Sequence, residues 1–117
     1  MIRTSYTLED LTKAMAGQDA IICAVSPAAV THQSVIIDAA EAAGVKRFIV
    51  NDFGWGLRTR TYGLPEFSEI AAKRHIGWDH AAKRAAANLA FTWTGIASGN
   101  PIDWVRTNQS FKILVRC

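Results

Sequence analysis

The chain has 117 residues, with 13 Lys and Arg against 10 Asp and Glu for a formal net charge of +3. A chain of this length buries about two-thirds of its unfolded surface on folding, enough for one hydrophobic core and not for two. Half of the residues are hydrophobic and a fifth are charged, which excludes a disordered or fibrous chain. No apolar run reaches the ~18 residues of a membrane helix, and Met1 to Asp10 contains no apolar stretch of the kind a secretory leader needs.

Thr7, followed by Leu8, Glu9 and Asp10, reads as a helix start: a hydroxyl cap with acids in the first turn. Leu8, Leu11, Ala14 and Met15 recur at helical spacing, and Gly17 stands where a glycine ends a helix. Asp19 to Val25 (DAIICAV) is an apolar run of strand length without alternation, which predicts a parallel strand covered on both faces. Ser26-Pro27 stops it. From Ala28 to Ala43 the apolar residues Val30, Ile36, Ile37, Ala40 and Ala43 follow a helical period closed by Gly44, and Lys46 to Asn51 (KRFIVN) is a second apolar strand. Strand, helix and strand form a βαβ unit, for which a right-handed crossover is expected.

Asp52 to Pro65 reads as a loop with three glycines and the aromatics Phe53, Trp55 and Tyr62; long loops in compact domains are often functional. Glu66 to Ala90 is an Ala-rich helical stretch with Gly77 as a candidate break, and Phe91 to Ile96 (FTWTGI) is a third strand. Ser98 to Pro101 makes a turn, and Ser110 to Cys117 has the composition of a strand with no evident pairing partner. The expected architecture is α/β: a partial Rossmann-type, three-layer fold with a parallel sheet of about three strands flanked by helices. A sheet that small leaves edges and faces to be covered, so self-association through an exposed sheet edge belongs among the expectations.

Residues 1–45 carry 2 basic and 5 acidic groups, and residues 46–117 carry 11 basic and 5 acidic. The basic groups of the second part come as the separated pairs Lys46-Arg47, Lys73-Arg74 and Lys83-Arg84, a spacing that decorates solvated faces and helix ends. No aromatic-basic platform accompanies them, so nucleic acid is not an expected partner. His32, His75 and His80 have no cysteine or carboxylate at ligand spacing, which predicts no metal site and solvated or capping histidines. Cys23, in the middle of an apolar strand, reads as a buried, inert thiol. Cys23 and Cys117 make no disulfide framework, which fits a soluble, cytoplasmic setting. Trp93 reads as core, and Trp55 as a candidate pocket wall.

Three fragments, in order, carry a resemblance: LEDLTKAMAGQDAIICAV, QSVIIDAAEAAGVKRFIVNDFG and FTWTGIASGNPIDW. Together they resemble the NmrA-like and isoflavone reductase-like branch of the atypical short-chain dehydrogenase/reductases, with the third fragment closest to fungal members. The resemblance implies a partial NAD(P)-binding domain over residues 1–104 and a divergent tail over 105–117. It further implies a Rossmann-type domain that binds NADP(H) or NAD(H), and reduction of a small, often aromatic, substrate. The alternatives it leaves open are a non-catalytic regulator that senses the dinucleotide and binds partner proteins, and a fragment without function.

In that family a lysine at the start of the helix after the Phe-Gly loop has the catalytic role, and Lys73 is the matching position. Physically, a lysine against an apolar crevice can act as acid or base, or hydrogen-bond a ribose and a carbonyl. The Tyr-x-x-x-Lys pair of ordinary short-chain dehydrogenases is missing, because Glu69 stands where the tyrosine would be. Cofactor contacts are expected at the carboxyl ends of the parallel strands, which singles out Val25, Ser26 and Pro27, then Asn51, Asp52 and Phe53, then Ile96, Ala97 and Ser98. Asn51-Asp52 depart from the family's usual Ser-Glu. The sequence contains no G-x-x-G-x-x-G turn of the kind that holds a pyrophosphate at a helix N-terminus. Both ends look truncated by comparison with the family, so weak or no cofactor binding and no catalysis are expected of this chain alone.

Overall fold

The computed structural model describes residues 3–52 and 65–97, with backbone alone for Pro27 and residues 65–71. Helices and strands alternate in the order α1 (Leu8–Met15), β1 (Ala20–Ile22), a 3-10 helix (Pro27–His32) continuing into α2 (Gln33–Ala42), β2 (Arg47–Ile49), α3 (Pro65–Ala87) and β3 (Thr92–Thr94).

Local chemistry sets the ends of the first helices. Thr7 is extended and its hydroxyl accepts the Asp10 N–H at 3.4 Å, while Glu9 and Asp10 occupy the first turn and Lys13 the last. That order of charge suits the helix dipole. Gly17, with φ +77°, takes the left-handed turn after α1. At the end of α2 the Gly44 N–H donates to Glu41 O and the Val45 N–H to Ala40 O, both at 3.0 Å, around Gly44 at φ +79°. This is a Schellman ending, in which two carbonyls left over by the helix are satisfied by the chain that leaves it. Val45, buried, supplies the apolar contact that goes with it.

The three strands form a parallel sheet in the order β1-β2-β3, with Ile21, Phe48 and Trp93 in one row and Ile22, Ile49 and Thr94 in the next. The ladder extends past the strands: the Cys23 N–H donates to Ile49 O at 2.9 Å and the Val50 N–H to Thr94 O at 3.0 Å. Side chains alternate across a strand, so the row of Phe48 faces the helices. There Leu11 and Met15 of α1, Ile36, Ile37 and Ala40 of α2, and Trp78 and Ala81 of α3 close one core with Phe48, Val50 and Phe91. The Phe48 and Phe91 rings lie 6.3 Å apart, and Trp78 meets Trp93 edge-on at 5.3 Å. α2 and α3 are also joined through polar groups. His80 Nε2 lies 2.7 Å from Asp38 Oδ1, Arg84 bonds Glu41 and lies 3.3 Å from Asp38, and Asn88 Nδ2 donates to Glu41 Oε1 at 2.9 Å.

The parallel α/β architecture is the one expected from the sequence, and several details differ. The first strand is not covered on both faces: Ile22 is 64% exposed, because among the described residues the row of Ala20, Arg47 and Thr92 is also exposed and nothing packs on that face. The helix expected over Ala28–Ala43 is two helices. Its first part winds as a 3-10 helix, in which residues three apart eclipse, and this turns both Val30 and Gln33 into the interior. Gly77 does not break α3, which runs through it unbroken. The histidines are not simply solvated or capping: His75 is buried, at 6% exposure, and His80 is bonded to Asp38 across the helix interface. The Lys-Arg pairs divide their work. Lys46, Lys73 and Lys83 are exposed, whereas Arg74 and Arg84 are half-buried against carboxylates and Arg47 Nη1 donates to Thr94 Oγ1 at 3.1 Å. The loop over residues 53–64, the turn at Ser98–Pro101, Trp55 and the tail from residue 105 lie outside the described residues.

Candidate functional site at the strand ends

The parallel register aims the carboxyl ends of all three strands the same way, and the chain continues from each into a different environment. After β1, Val25 is half-buried and Ser26 exposed; Ser26 begins the 3-10 helix, and its hydroxyl makes no capping bond. After β2, Asn51 joins the first two strand ends. Its Nδ2 donates to Val25 O at 3.1 Å, and its backbone N–H donates to Gln33 Oε1 at 3.1 Å. Asp52 follows with its N–H on Val50 O at 3.0 Å, so the backbone turns sharply there.

Asp52 is 4% exposed, and its Oδ1 lies 3.7 Å from Nη1 of the half-buried Arg74. A carboxylate removed from water needs such a counter-charge, since burying it alone costs several kcal/mol. After β3, Ile96 and Ala97 are exposed at the same end of the sheet. Of the cofactor positions expected from the sequence, the structure thus brings Val25, Asn51 and Asp52 together, with Ser26, Ile96 and Ala97 along the same edge. Pro27 contributes its backbone as the first residue of the 3-10 helix, and Phe53 and Ser98 lie outside the described residues. Lys73 is exposed in α3, about two turns beyond the helix start and one turn before Gly77.

Two close approaches hold α3 over these ends. A Cβ on Gly77 would strike the Gln33 side chain, reaching its Cδ at 2.6 Å and its Nε2 at 2.9 Å, and a Cβ on Gly95 would land in the outer ring of Trp78. Glycine is the one residue that allows both contacts. Reading the sequence for chemistry missed Gln33, Arg74 and the Gly77-Trp78 dipeptide. A signal was present for Gln33, a polar residue at an apolar-face position between Val30 and Ile36-Ile37; for Arg74 there was none, because its partner lies 22 positions earlier.

Cys23 is buried in the core, and desolvation pushes its thiol up to about 11. The reactive species is the thiolate, and two pKa units above the ordinary value of 9.0 mean a thiolate population about a hundredfold smaller. At pH 8, alkylation of Cys23 in the folded chain is therefore expected to run at least ~100-fold slower than in the urea-unfolded chain, followed site by site by mass spectrometry. Comparable rates in the two states would contradict the burial.

The sequence matches the NAD(P)H-binding family over residues 3–113. The chain belongs to that family. Two fungal relatives are similar to it: over 104 residues it is 62% identical to the oxidoreductase poxI of Penicillium oxalicum, covering 89% of this chain and 32% of that protein. Over 96 residues it is 34% identical to the oxidoreductase aprR of Aspergillus flavus, covering 80% of this chain and 31% of that protein. The chain spans about a third of the length of these relatives. Membership in the NAD(P)H-binding family agrees with the expected cofactor class, and folds built on a parallel α/β sheet take their ligands at the carboxyl ends of the strands. Among the described residues there is no cluster of three metal-ligating side chains and no helix long and apolar enough to cross a membrane.

Proposed function

We propose that this chain forms the nicotinamide-side part of an NADP(H)- or NAD(H)-dependent oxidoreductase of the isoflavone reductase-like, NmrA-like type, acting on a small aromatic substrate. The observation that carries the reading is the Asn51 bridge: one side chain ties the ends of β1 and β2 into a continuous polar edge, at the place where a parallel α/β sheet receives a ligand. The residues fit a nicotinamide ring and its ribose. Val25 and Ile96 offer apolar surface, and Ser26 offers a hydroxyl not spent on capping. Asp52 and Arg74 supply a charged pair in which the buried carboxylate faces the half-buried guanidinium.

The bound dinucleotide supplies hydride chemistry, and the chain's own groups do the rest. In this reading Lys73 is the proton-handling or anchoring group: an exposed ammonium with three donors on the helix that lies over the strand ends. Asn51 holds its backbone segment still while a ligand binds, so little ordering remains to be done at binding.

A titration of the isotope-labelled chain with NADPH, followed by amide chemical shifts, tests the proposal. Shifts are expected at Val25, Ser26, Asn51, Asp52, Ile96 and Ala97. Saturation is expected well above ~1 μM, because the sequence has no glycine-rich pyrophosphate turn to add its share of the binding energy. An undisturbed spectrum at millimolar NADPH, or shifts confined to the exposed face of Ile22, would overturn the assignment.

A further inference from the structure

We propose that Gln33 is the positioning residue of the strand-end site: it sets where Asn51 stands, and through Gly77 it sets the height of α3 above the strands. This rests on the reading of the strand ends as the ligand edge. Gln33 is fully buried, at 0% exposure, although glutamine is rarely a core residue. Its Oε1 accepts the Asn51 N–H at 3.1 Å, and Asn51 in turn reaches Val25 O, so one buried amide fixes the ends of two strands. Its Nε2 is buried with no hydrogen-bond partner. A buried donor left unsatisfied is costly, and packing alone would favour an aliphatic side chain of similar size. The polar group is retained at a position where its acceptor oxygen aligns a backbone segment of the site.

The geometry around Gly77 supports the same assignment. The helix carries glycine at a point where a Cβ would displace the Gln33 amide, although alanine is the better residue for a helix interior. Lys73 lies four residues before Gly77, and residues four apart share a helix side. The Gln33–Gly77 contact therefore fixes the approach of the lysine-bearing turn to the strand ends. The same amide is the junction of the 3-10 helix and α2, so a ligand at Ser26 and one at Asn51 meet a single rigid support.

The variants Gln33→Met and Gly77→Ala test this. Methionine keeps the length of the side chain and removes its acceptor; alanine at position 77 keeps residue 33 as glutamine and pushes its amide away. Residue-by-residue hydrogen exchange on the 117-residue chain is expected to show the Asn51 amide losing protection by at least ~10-fold in both variants, while Ile37 and Ala40 in α2 keep theirs. In Gln33→Glu, whose carboxylate can still accept the Asn51 N–H, that protection is expected to be largely restored. Uniform loss across all amides, or an unchanged Asn51, overturns the proposal. NADPH-induced shifts measured on the same samples read the other claim separately. If the parent chain shows none, the cofactor assignment fails while the exchange data still decide the role of Gln33. If the parent chain responds and Gln33→Met responds identically at Asn51, the positioning role fails alone.

Discussion

Replacing Phe48 by alanine is expected to remove about 3–5 kcal/mol of folding stability, the upper range for a large side chain cut back in a core. The position concentrates the reasons. Phe48 is the middle residue of the middle strand, fully buried, and in register with Ile21 on one side and Trp93 on the other. Its ring meets Phe91 at 6.3 Å and closes the floor under α2. Each strand spans only three residues, so the ladder contributes few hydrogen bonds and the sheet depends on this row of side chains. The surrounding backbone is held by ladder bonds above and below Phe48, which limits collapse into the cavity. Urea unfolding followed by circular dichroism measures the effect. A loss below about 1 kcal/mol would mean that the row is not the centre of the core.

Gly95→Ala is expected to cost about 2–4 kcal/mol, although it adds a single methyl group. That methyl would occupy space already filled by the Trp78 indole. Overpacking of this kind typically costs 1–3 kcal/mol, and an indole that moves aside also gives up its edge-on contact with Trp93, worth about another 0.5–1.5. The indole cannot turn freely into solvent, because Trp78 is buried between Gly77, which abuts Gln33, and the end of β3. A double-mutant cycle isolates the cause: in a Trp78→Leu background the same glycine substitution should cost under ~1 kcal/mol. Equal costs in the two backgrounds would place the penalty in the backbone just after β3. The expected loss also bears on function, since Ile96 and Ala97 follow Gly95 directly at the strand-end edge.

The family match and the strand-end geometry bear on different questions. Membership in the NAD(P)H-binding family names a cofactor class for the fold. The geometry says which atoms of this chain lie at the carboxyl ends of the strands, the edge proposed above for the cofactor. The two fungal oxidoreductases are about three times as long as the part they share with this chain.

Much of the architecture is written locally. Thr7, Gly17 and Gly44 mark helix ends through their own backbone and side-chain chemistry, and the runs around Ile21, Phe48 and Trp93 mark strands through apolar, β-branched and aromatic composition. The three strand ends were legible as one edge of the sheet because parallel strands must all point one way. What local pattern cannot carry is the identity of a partner from a distant segment. Gln33 looks like a stray polar residue until the Asn51 amide and Gly77 are placed beside it. Arg74 and Arg84 look like surface charge until Asp52, Asp38 and Glu41 face them. Gly77 reads as a helix breaker because glycine weakens a helix by its conformational freedom, yet in the fold its missing side chain is what lets α3 approach.

The sequence by itself determined the order of the elements and the parallel sheet, because those follow from periodicity, composition and backbone freedom along the chain. Only the tertiary structure decided which polar groups are buried, that Ile22 is uncovered among the described residues, and which residues brace the strand ends. Burial of a polar atom is favourable only where another segment brings the matching group, and that pairing is a property of three-dimensional proximity.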